Sequence, residues 1–577
     1  MARVEEQVGR ARSRRRGEGQ WALGYREPLN ATERAKRDAD PLAVRDRIER
    51  TYARGGFRSI DKTDLRSRFR WWGLYTQRRH GVPGGATAGA EPHELEDEFF
   101  MLRIRIPGGR LTSAQLRAIA WASERFGRDL ADVTDRQNVQ LHWIRIEDVP
   151  RIWERIEAVG LTTQETCGDV PRNILGCPLA GVDADEVLDA TPFLLETNRR
   201  YALDPAFSNL PRKYKTTITG CAHRCTQHET NDLAFVAHRH EGRVGFDVWV
   251  GGGLSTNPMF AKRLGAFVEP ERVPEVWAAV TALYRDFGYR RSRNHARLKF
   301  LVADWGPERF REVLEDRYLD APLRDGPPAP PSPLAERAHL GVLPQRDGLR
   351  YVGFAPRAGR IYGHQLRRVA DLADAFGRGR IRTTTQQKLA ILDVPEERVP
   401  DLVAALEEED LPVTPSAFRA GTMACTGIEF CKLALVETKQ RAHWLYRELE
   451  ERLPGFDEPI RITLNGCPNA CARFQLADIG LMGVVVTRPD GTRSDGFLVH
   501  LGGGLGADPS FGRKVPGVRV PAEHLADHVE AVLRRYLARR GGHRSFREYV
   551  RSLSPEELAE LAAPPGTPGW AIGRRRR

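Results

Sequence analysis

The sequence predicts a mixed α+β protein built from two related halves, with a site between them. Three observations carry that prediction. Four short segments recur in one order at nearly one spacing. Strand and helix signals alternate within each half. The chain, at 577 residues, is long enough for roughly three to five domain-sized units.

The repeats come first. Thr134 to Val139 (TDRQNV) matches Thr384 to Leu389 (TTQQKL) at an offset of 250. Leu179-Ala180 after Cys177 matches Leu433-Ala434 after Cys431 at 254. Thr219-Gly220-Cys221 with Cys225 matches Asn465-Gly466-Cys467 with Cys471 at 246. Trp249 to Leu254 matches His500 to Leu505 at 251. On this alignment Cys177, Cys221 and Cys225 are twins of Cys431, Cys467 and Cys471, and the twin of Cys425 falls near Pro171. The halves run over 98–320 and 348–560, after an N-terminal extension, 1–97, and before a basic tail, 561–577. Two copies are too few for a solenoid, which leaves a pseudo-twofold enzyme. The stretch 321–347 between them begins APLRDGPPAPPSPL, whose prolines predict a semi-rigid linker.

Within the first half, Met101 to Ile106 alternates apolar and basic residues, as a half-buried strand does. Gly108-Gly109 breaks it, and Ser113 opens a helix to Phe126 with Leu116, Ile119 and Ala120 on its apolar face. Val139 to Ile146 reads as a second strand. Asp148 with Pro150 starts a helix to about Val159. The pattern leaves the sheet order open.

Composition narrows the function. The chain is 41% hydrophobic and 29% charged, which excludes a mostly disordered protein. No window of 18 uncharged apolar residues exists, so no membrane span is expected. Residues 1–20 are rich in Arg and Glu and lack an apolar core, so a cytoplasmic, reducing location is expected. There the eight cysteines read as metal ligands or redox groups before disulfides. The net charge of +12 calls for an anionic partner. Arg12 to Arg16 and Arg574 to Arg577 contribute to it as solvated tails. Lysine is scarce, at ten residues, yet Lys213 and Lys215 sit two apart on one face of an extended segment.

Cys425-x5-Cys431 and Cys467-x3-Cys471 give four thiolates in two pairs. Four soft ligands suit an iron–sulfur cluster or zinc, with buried structural cysteines as the bland alternative. MACTGIEFCKLA with NGCPNACAR closely resembles the cluster signature of siroheme-dependent sulfite and nitrite reductases. The resemblance spans about 98–545 and a segment near 68–78 (RFRWWGLYTQR), and is greatest to the ferredoxin-dependent, assimilatory sulfite reductase branch.

That resemblance implies a duplicated nitrite/sulfite reductase fold, with ferredoxin-like half-domains at 98–163 and 348–415 and cofactor domains at 164–320 and 416–560. It implies one 4Fe–4S cluster on Cys425, Cys431, Cys467 and Cys471, with Cys471 bridging to siroheme iron. It places Thr134, Arg136, Gln140, His142, Arg212, Gln387 and Asn469 against siroheme, and Arg103, Arg172, Lys213 and Lys215 on the substrate oxyanion. The alternation of 134, 136, 140 and 142 independently puts those four on one face if the segment is a strand. The expected reaction is six-electron reduction of sulfite to sulfide by a monomer, with electrons from acidic ferredoxin. Lys215 favours sulfite, since nitrite reducers of this family tend to have Asn at the second lysine; nitrite reduction to ammonia is the alternative. In ferredoxin-dependent relatives, Tyr and Cys at positions matching Tyr75 and Cys167 can join as a thioether.

Other readings are weaker. A second cluster on Cys177, Cys221 and Cys225 departs from the family, and loose metal binding with His223 and His228, or remnants of duplication, fit better. The glycine runs at 251–253 and 502–504 are neither GxGxxG nor GxxxxGK[ST], so close backbone approach explains them better than a nucleotide. A zinc-containing nucleic-acid binder leaves the duplication unexplained, and no nucleic-acid module is evident. A siroheme-binding scaffold without turnover is expected to lack the anion-binding Arg and Lys residues, and all four are present.

Overall fold

The computed structural model describes residues 29–87, 89–331, 337–488 and 491–565. The basic runs at both ends lie outside them. Four five-stranded sheets alternate with helices in two matching series.

The first sheet runs, in spatial order, Leu74–Arg78, Glu96–Ile104, Val139–Ile144, Leu130–Val133 and Arg360–Tyr362. Its counterpart runs Gly341–Pro344, Arg350–Phe354, Leu389–Val394, Arg380–Thr383 and Arg110–Thr112. All neighbours in both are antiparallel. Each sheet therefore ends on a three-residue strand from the other half. After each swapped strand the chain turns straight into a helix, Ser113–Phe126 or Gly363–Phe376, each with a capping box. These helices pack on each other, with Arg117 on Asp374 at 2.7 Å and Arg367 on Glu124 at 2.9 Å. One core, from Val44 through Leu141 to Val413, serves both sheets.

The other two sheets carry the mixed pattern. Thr216–Thr219 lies parallel to Leu233–His240, and antiparallel strands continue through Arg243–Val250 and Lys262–Val268. The twin runs Thr422–Ala424, Ile462–Asn465, Ile479–Thr487, Arg493–Leu501 and Arg513–Pro521. The glycine runs follow the strands ending at Val250 and Leu501. A Cβ on Gly252 would lie 2.6 Å from the Asn231 carbonyl oxygen, and one on Gly503 2.4 Å from that of Gln475. Close backbone approach is thus the reason for the glycines. Across the pseudo-twofold, the equivalent Phe260 and Phe511 rings stack at 4.0 Å.

Three expectations change. Residue 97 is no boundary, because Leu74–Arg78 and Glu96–Ile104 belong to the first sheet. The stretch 321–347 is more than a linker: Arg324–Asp325 and Gly341–Pro344 edge two different sheets, and 332–336 lies outside the described residues. Thr134 and Arg136 stand on a turn, since the strand before them ends at Val133 and the next begins at Val139. Thr134 Oγ1 accepts from the N–H groups of Arg136 and Asn138 at 3.3 and 3.1 Å. Its twin Thr384 accepts from Gln386 and Lys388, both at 3.1 Å.

The swapped strand Arg360–Tyr362 carries a charge into the first sheet. Arg360 Nε donates to Asp132 Oδ1 at 2.9 Å, with both side chains buried. Arg360→Ala would take the arginine from that carboxylate and leave it Lys439 at 3.7 Å and His142 at 2.9 Å, so the expected loss is about 3 kcal/mol, the low end for breaking a buried pair. A urea midpoint unchanged from wild type would contradict the assignment.

Candidate active site

The cluster loop Cys425 to Cys431 grows from the end of Thr422–Ala424 and is fastened to the first half. Glu429 accepts from Arg360 Nη1 at 2.9 Å. The Phe430 ring stacks on His142 at 4.0 Å, and its carbonyl accepts from the Arg78 N–H at 2.9 Å. Lys432 Nζ reaches Glu96 at 3.1 Å. Thr426 Oγ1 accepts from Gln140 Nε2 at 3.3 Å.

The second pair arrives on the turn after Ile462–Asn465. The Gly466 N–H donates to Cys425 Sγ at 3.1 Å, and Asn465 Oδ1 accepts from the Ala472 N–H at 2.7 Å. Cys425, Cys431 and Cys467 are half-buried, and Cys471 is exposed. Burial, then the charge of Cys471, pushes the Cys425 thiol up to about 12. Cys467 and Cys431 are raised too, chiefly by burial. Four thiolates are costly together here unless a cation compensates them, which is the condition an iron–sulfur cluster meets.

A second group of side chains faces Cys471 electrostatically. Its charge reaches Arg103, Lys213 and Lys215. Burial, then neighbouring Lys215, drives Lys213 well below the usual lysine range. Burial and Arg136 bring Lys215 down to about 7. Burial lowers Arg136 to about 9, and burial with Arg293 lowers Arg212 to about 10. The Nε–H groups of Arg136 and Arg172 are buried and have no acceptor among the described residues. Mutually repelling cations with unused donors fit a polyanionic macrocycle and a small oxyanion.

These cations are held in place from behind. Arg172 Nη1 and Nη2 donate to the carbonyls of Thr166 and Gly168 at 3.1 and 2.8 Å. Arg136 is fixed by Asn231 Oδ1 at 3.0 Å and the Asn173 carbonyl at 2.7 Å. The Lys215 N–H donates to Asp232, which Arg297 grips at 2.7 Å. Arg212 contacts Asp169 at 3.5 Å. Arg103 donates to Gln140 Oε1 at 3.1 Å through Nε and to Cys167 Sγ at 3.1 Å through Nη1. Burial opposes the charge of Arg103, but Cys167, Tyr75 and Cys471 more than offset it.

The segments bearing Tyr75 and Cys167 pack closely at Gly73. At φ +75°, a Cβ there would lie 2.7 Å from Thr166 Oγ1 and 2.8 Å from the Arg103 carbonyl. The Glu165 N–H donates to the Trp71 carbonyl beside it. Burial and the neighbouring Cys167 raise the Tyr75 hydroxyl above its ordinary pKa.

His142 and Gln387 are engaged by the protein itself. His142 has no exposed surface, and its Nε2 pairs with Asp132 Oδ2 at 2.9 Å. Gln387 stands at φ +60° with its amide on the Ala424 backbone, donating at 2.8 Å and accepting at 3.1 Å, one residue before Cys425. Asn469 is exposed on the turn between Cys467 and Cys471, and its N–H bonds to Cys467. Sequence reading missed Asp132, Glu429, Phe430 and Arg297. Of these, Glu429 and Phe430 carried a signal, lying inside the cysteine motif itself.

The twin alignment also changes. Leu175 bridges Thr217 as Met423 pairs with Thr463. Gln137 clasps Gly176 through its amide, both bonds at 3.1 Å, as Gln387 clasps Ala424. Cys177 is therefore the twin of Cys425, not of Cys431.

Comparison with known proteins agrees with the geometry. A family profile described as the nitrite and sulphite reductase 4Fe-4S domain matches residues 167–322 and 417–564. One described as the nitrite/sulfite reductase ferredoxin-like half domain matches 93–159 and 343–409. The chain is 52% identical to sulfite reductase [ferredoxin] 2 of Mycolicibacterium paratuberculosis over 94% of its length and 98% of that protein. It is 36% identical to the assimilatory ferredoxin-dependent nitrite reductase of Haloferax mediterranei, covering 92% and 93% of the two chains. The solved structure of the Mycobacterium tuberculosis NirA protein superposes with a TM-score of 0.91 at 51% identity, over 94% of this chain and all of that one. Duplicated half-domains, paired cysteines on pinned loops and a bank of desolvated cations all place the chain in the nitrite and sulphite reductase family.

Proposed function

We propose that this protein is a ferredoxin-dependent sulfite reductase that carries siroheme and one 4Fe–4S cluster and works as a cytoplasmic monomer. The observation that carries the reading is the contact between the two sets of residues: Gln140 accepts from Arg103 at 3.1 Å and donates to Thr426, the neighbour of Cys425, at 3.3 Å. Relatives at 52% identity are named sulfite reductases, and those at 36–38% nitrite reductases. Among the described residues no helix is long and apolar enough to cross a membrane.

Cys425, Cys431, Cys467 and Cys471 would hold the cluster in this reading, with Cys471 as the ligand shared with siroheme in the family resemblance. Thr134, Arg136, Gln140, Arg212 and Asn469 line the siroheme. His142 and Gln387 act behind them, orienting Phe430 and Ala424. When bound, siroheme would supply the redox-active iron at which the substrate is reduced, and the cluster would supply it with electrons. Sulfite takes up six electrons and seven protons and leaves as hydrosulfide and three waters. Arg103 and Arg172 orient the oxyanion. Lys213 and Lys215 would neutralise it and would supply protons to departing oxygens. The net charge of +12 favours encounter with an acidic donor.

Three measurements test this. The purified protein should show an isobacteriochlorin spectrum with about five irons and about four acid-labile sulfides per chain. Its kcat/KM should be at least about tenfold higher for sulfite than for nitrite, a difference of about 1.4 kcal/mol; the reverse order would assign nitrite.

Lys215, lowered to about 7, should supply charge below that pH and lose it above. Hence kcat/KM for sulfite should fall as pH rises through about 7, and Lys215→Arg, which keeps its charge, should flatten that limb. Sulfite's own ionisation is common to both enzymes and cancels in their ratio. Parallel profiles would remove Lys215 from the proton path.

Tyr75 and Cys167 are proposed to be joined as a thioether. Peptide mass spectra should show them linked with loss of two hydrogens; two unmodified peptides would refute the link.

A further inference from the structure

We infer that the twin of the cluster site is a separate mononuclear zinc site, formed by Cys177, Asp183, Cys221 and Cys225. It lies outside the site proposed for siroheme and its cluster and stands or falls independently of that reading.

The twin register is fixed on both sides of the loop. Before it, Gln137 clasps Gly176 as Gln387 clasps Ala424. After it, the Val187 N–H donates to the Gly220 carbonyl at 2.8 Å, as that of Leu435 does to Gly466 at 2.8 Å. Both loops therefore have the same length. One offset of 248 carries Cys425 to Cys177 and Cys431 to Asp183. Cys221 and Cys225 stand 246 before Cys467 and Cys471. The first half thus reproduces the four-ligand frame with one thiolate replaced by a carboxylate.

Ligand spacing then selects the metal. One zinc holds thiolates at about 2.3 Å and a carboxylate at about 2.0 Å in a tetrahedron, so neighbouring ligand atoms lie about 3.5–3.8 Å apart. Cys221 Sγ and Cys225 Sγ are 3.9 Å apart, and ligand atoms of Cys177, Asp183 and Cys221 all lie within 4.8 Å of one another. A cubane binds each thiolate to a different iron and needs them much farther apart. Among the described residues, Cys425, Cys431, Cys467 and Cys471 form no group at the tighter spacing. His223, His228 and Cys225 are not in the triad; Asp183 takes the place expected for the histidines, and Cys225, whose Sγ lies 3.9 Å from that of Cys221, would close on the ion as the fourth ligand.

The surroundings suit a closed structural ion. All four ligands are buried. Arg337 donates to Asp183 Oδ2 at 2.7 Å, which orients the carboxylate and balances charge. Leu179, Val182, Tyr351, Ala390 and Leu392 cover the group, so the ion would tie the first half's loop to a sheet of the second.

The test is metal analysis of the holoenzyme prepared without chelators. The expected result is about one zinc per chain, beside iron and sulfide at the levels of one siroheme and one cluster. Zinc-edge X-ray absorption should show about three sulfurs at about 2.3 Å and about one oxygen near 2.0 Å. Asp183→Ala and Cys225→Ser should each lower bound zinc at least about tenfold while leaving the siroheme spectrum and labile sulfide unchanged. If a variant does not fold, the absorption spectrum of the wild-type protein still decides. Doubling of labile sulfide, a sixth iron without zinc, a Cys221–Cys225 disulfide, a zinc shell of nitrogen and oxygen only, or no zinc after incubation with stoichiometric zinc would each overturn the site.

Discussion

Asp132 is the carboxylate on which the arrangement of the centre depends. It lies at the end of a first-half strand with almost no exposure, and receives Arg360 and Lys439 from the second half and His142 from its own sheet. Burial opposes its ionisation, yet these partners hold its pKa well below the usual carboxylate range. Each partner then continues outward. Arg360 grips Glu429, His142 supports Phe430, and Lys439 reaches the Ala358 carbonyl. The loop bearing two cluster cysteines is thereby set against the sheet bearing Arg103 and Gln140. An uncompensated charge at this depth is costly, so the contact is all-or-none, and the distance between redox centre and anion site is fixed with it.

The same physics runs with opposite sign a few residues away. In Arg136, Arg212, Lys213 and Lys215 the chain collects cations whose burial and mutual repulsion depress their pKa values. A protein without an anionic ligand gains nothing from such a group. One that binds a polycarboxylate ring and an oxyanion gains preorganisation, because the donors need not be gathered at each turnover. Asp169 and Asp232, each clasped by arginine, supply partial neutralisation from behind without reaching forward to repel the anion.

Much of this was legible in the chain. The duplication and the helix Ser113–Phe126 follow from spacing and periodicity, and spacing also shows four cysteines in two pairs, whose reading as cluster ligands rests on the family resemblance. Three things did not. The strands Arg110–Thr112 and Arg360–Tyr362 are too short to show alternation, so the exchange between halves left no pattern. Thr134 and Arg136 were read on a strand because the period of two persists across a turn, where Gln137 adopts φ 58°. The twin of Cys177 was displaced by six residues because a Leu-Ala pair follows both Cys177 and Cys431 two residues on. Backbone hydrogen bonds, which a sequence does not show, give the true register.

The exchanged strands bear on how the protein is made. A ribosome has to pass Tyr362 before the first sheet receives its last strand, and until then Leu130–Val133 presents an open edge. The nascent chain must carry that edge, with Asp132 still lacking Arg360 and Lys439, through the synthesis of more than two hundred residues. Assembly of the two halves is therefore late and concerted, and any chaperone requirement should fall in that interval.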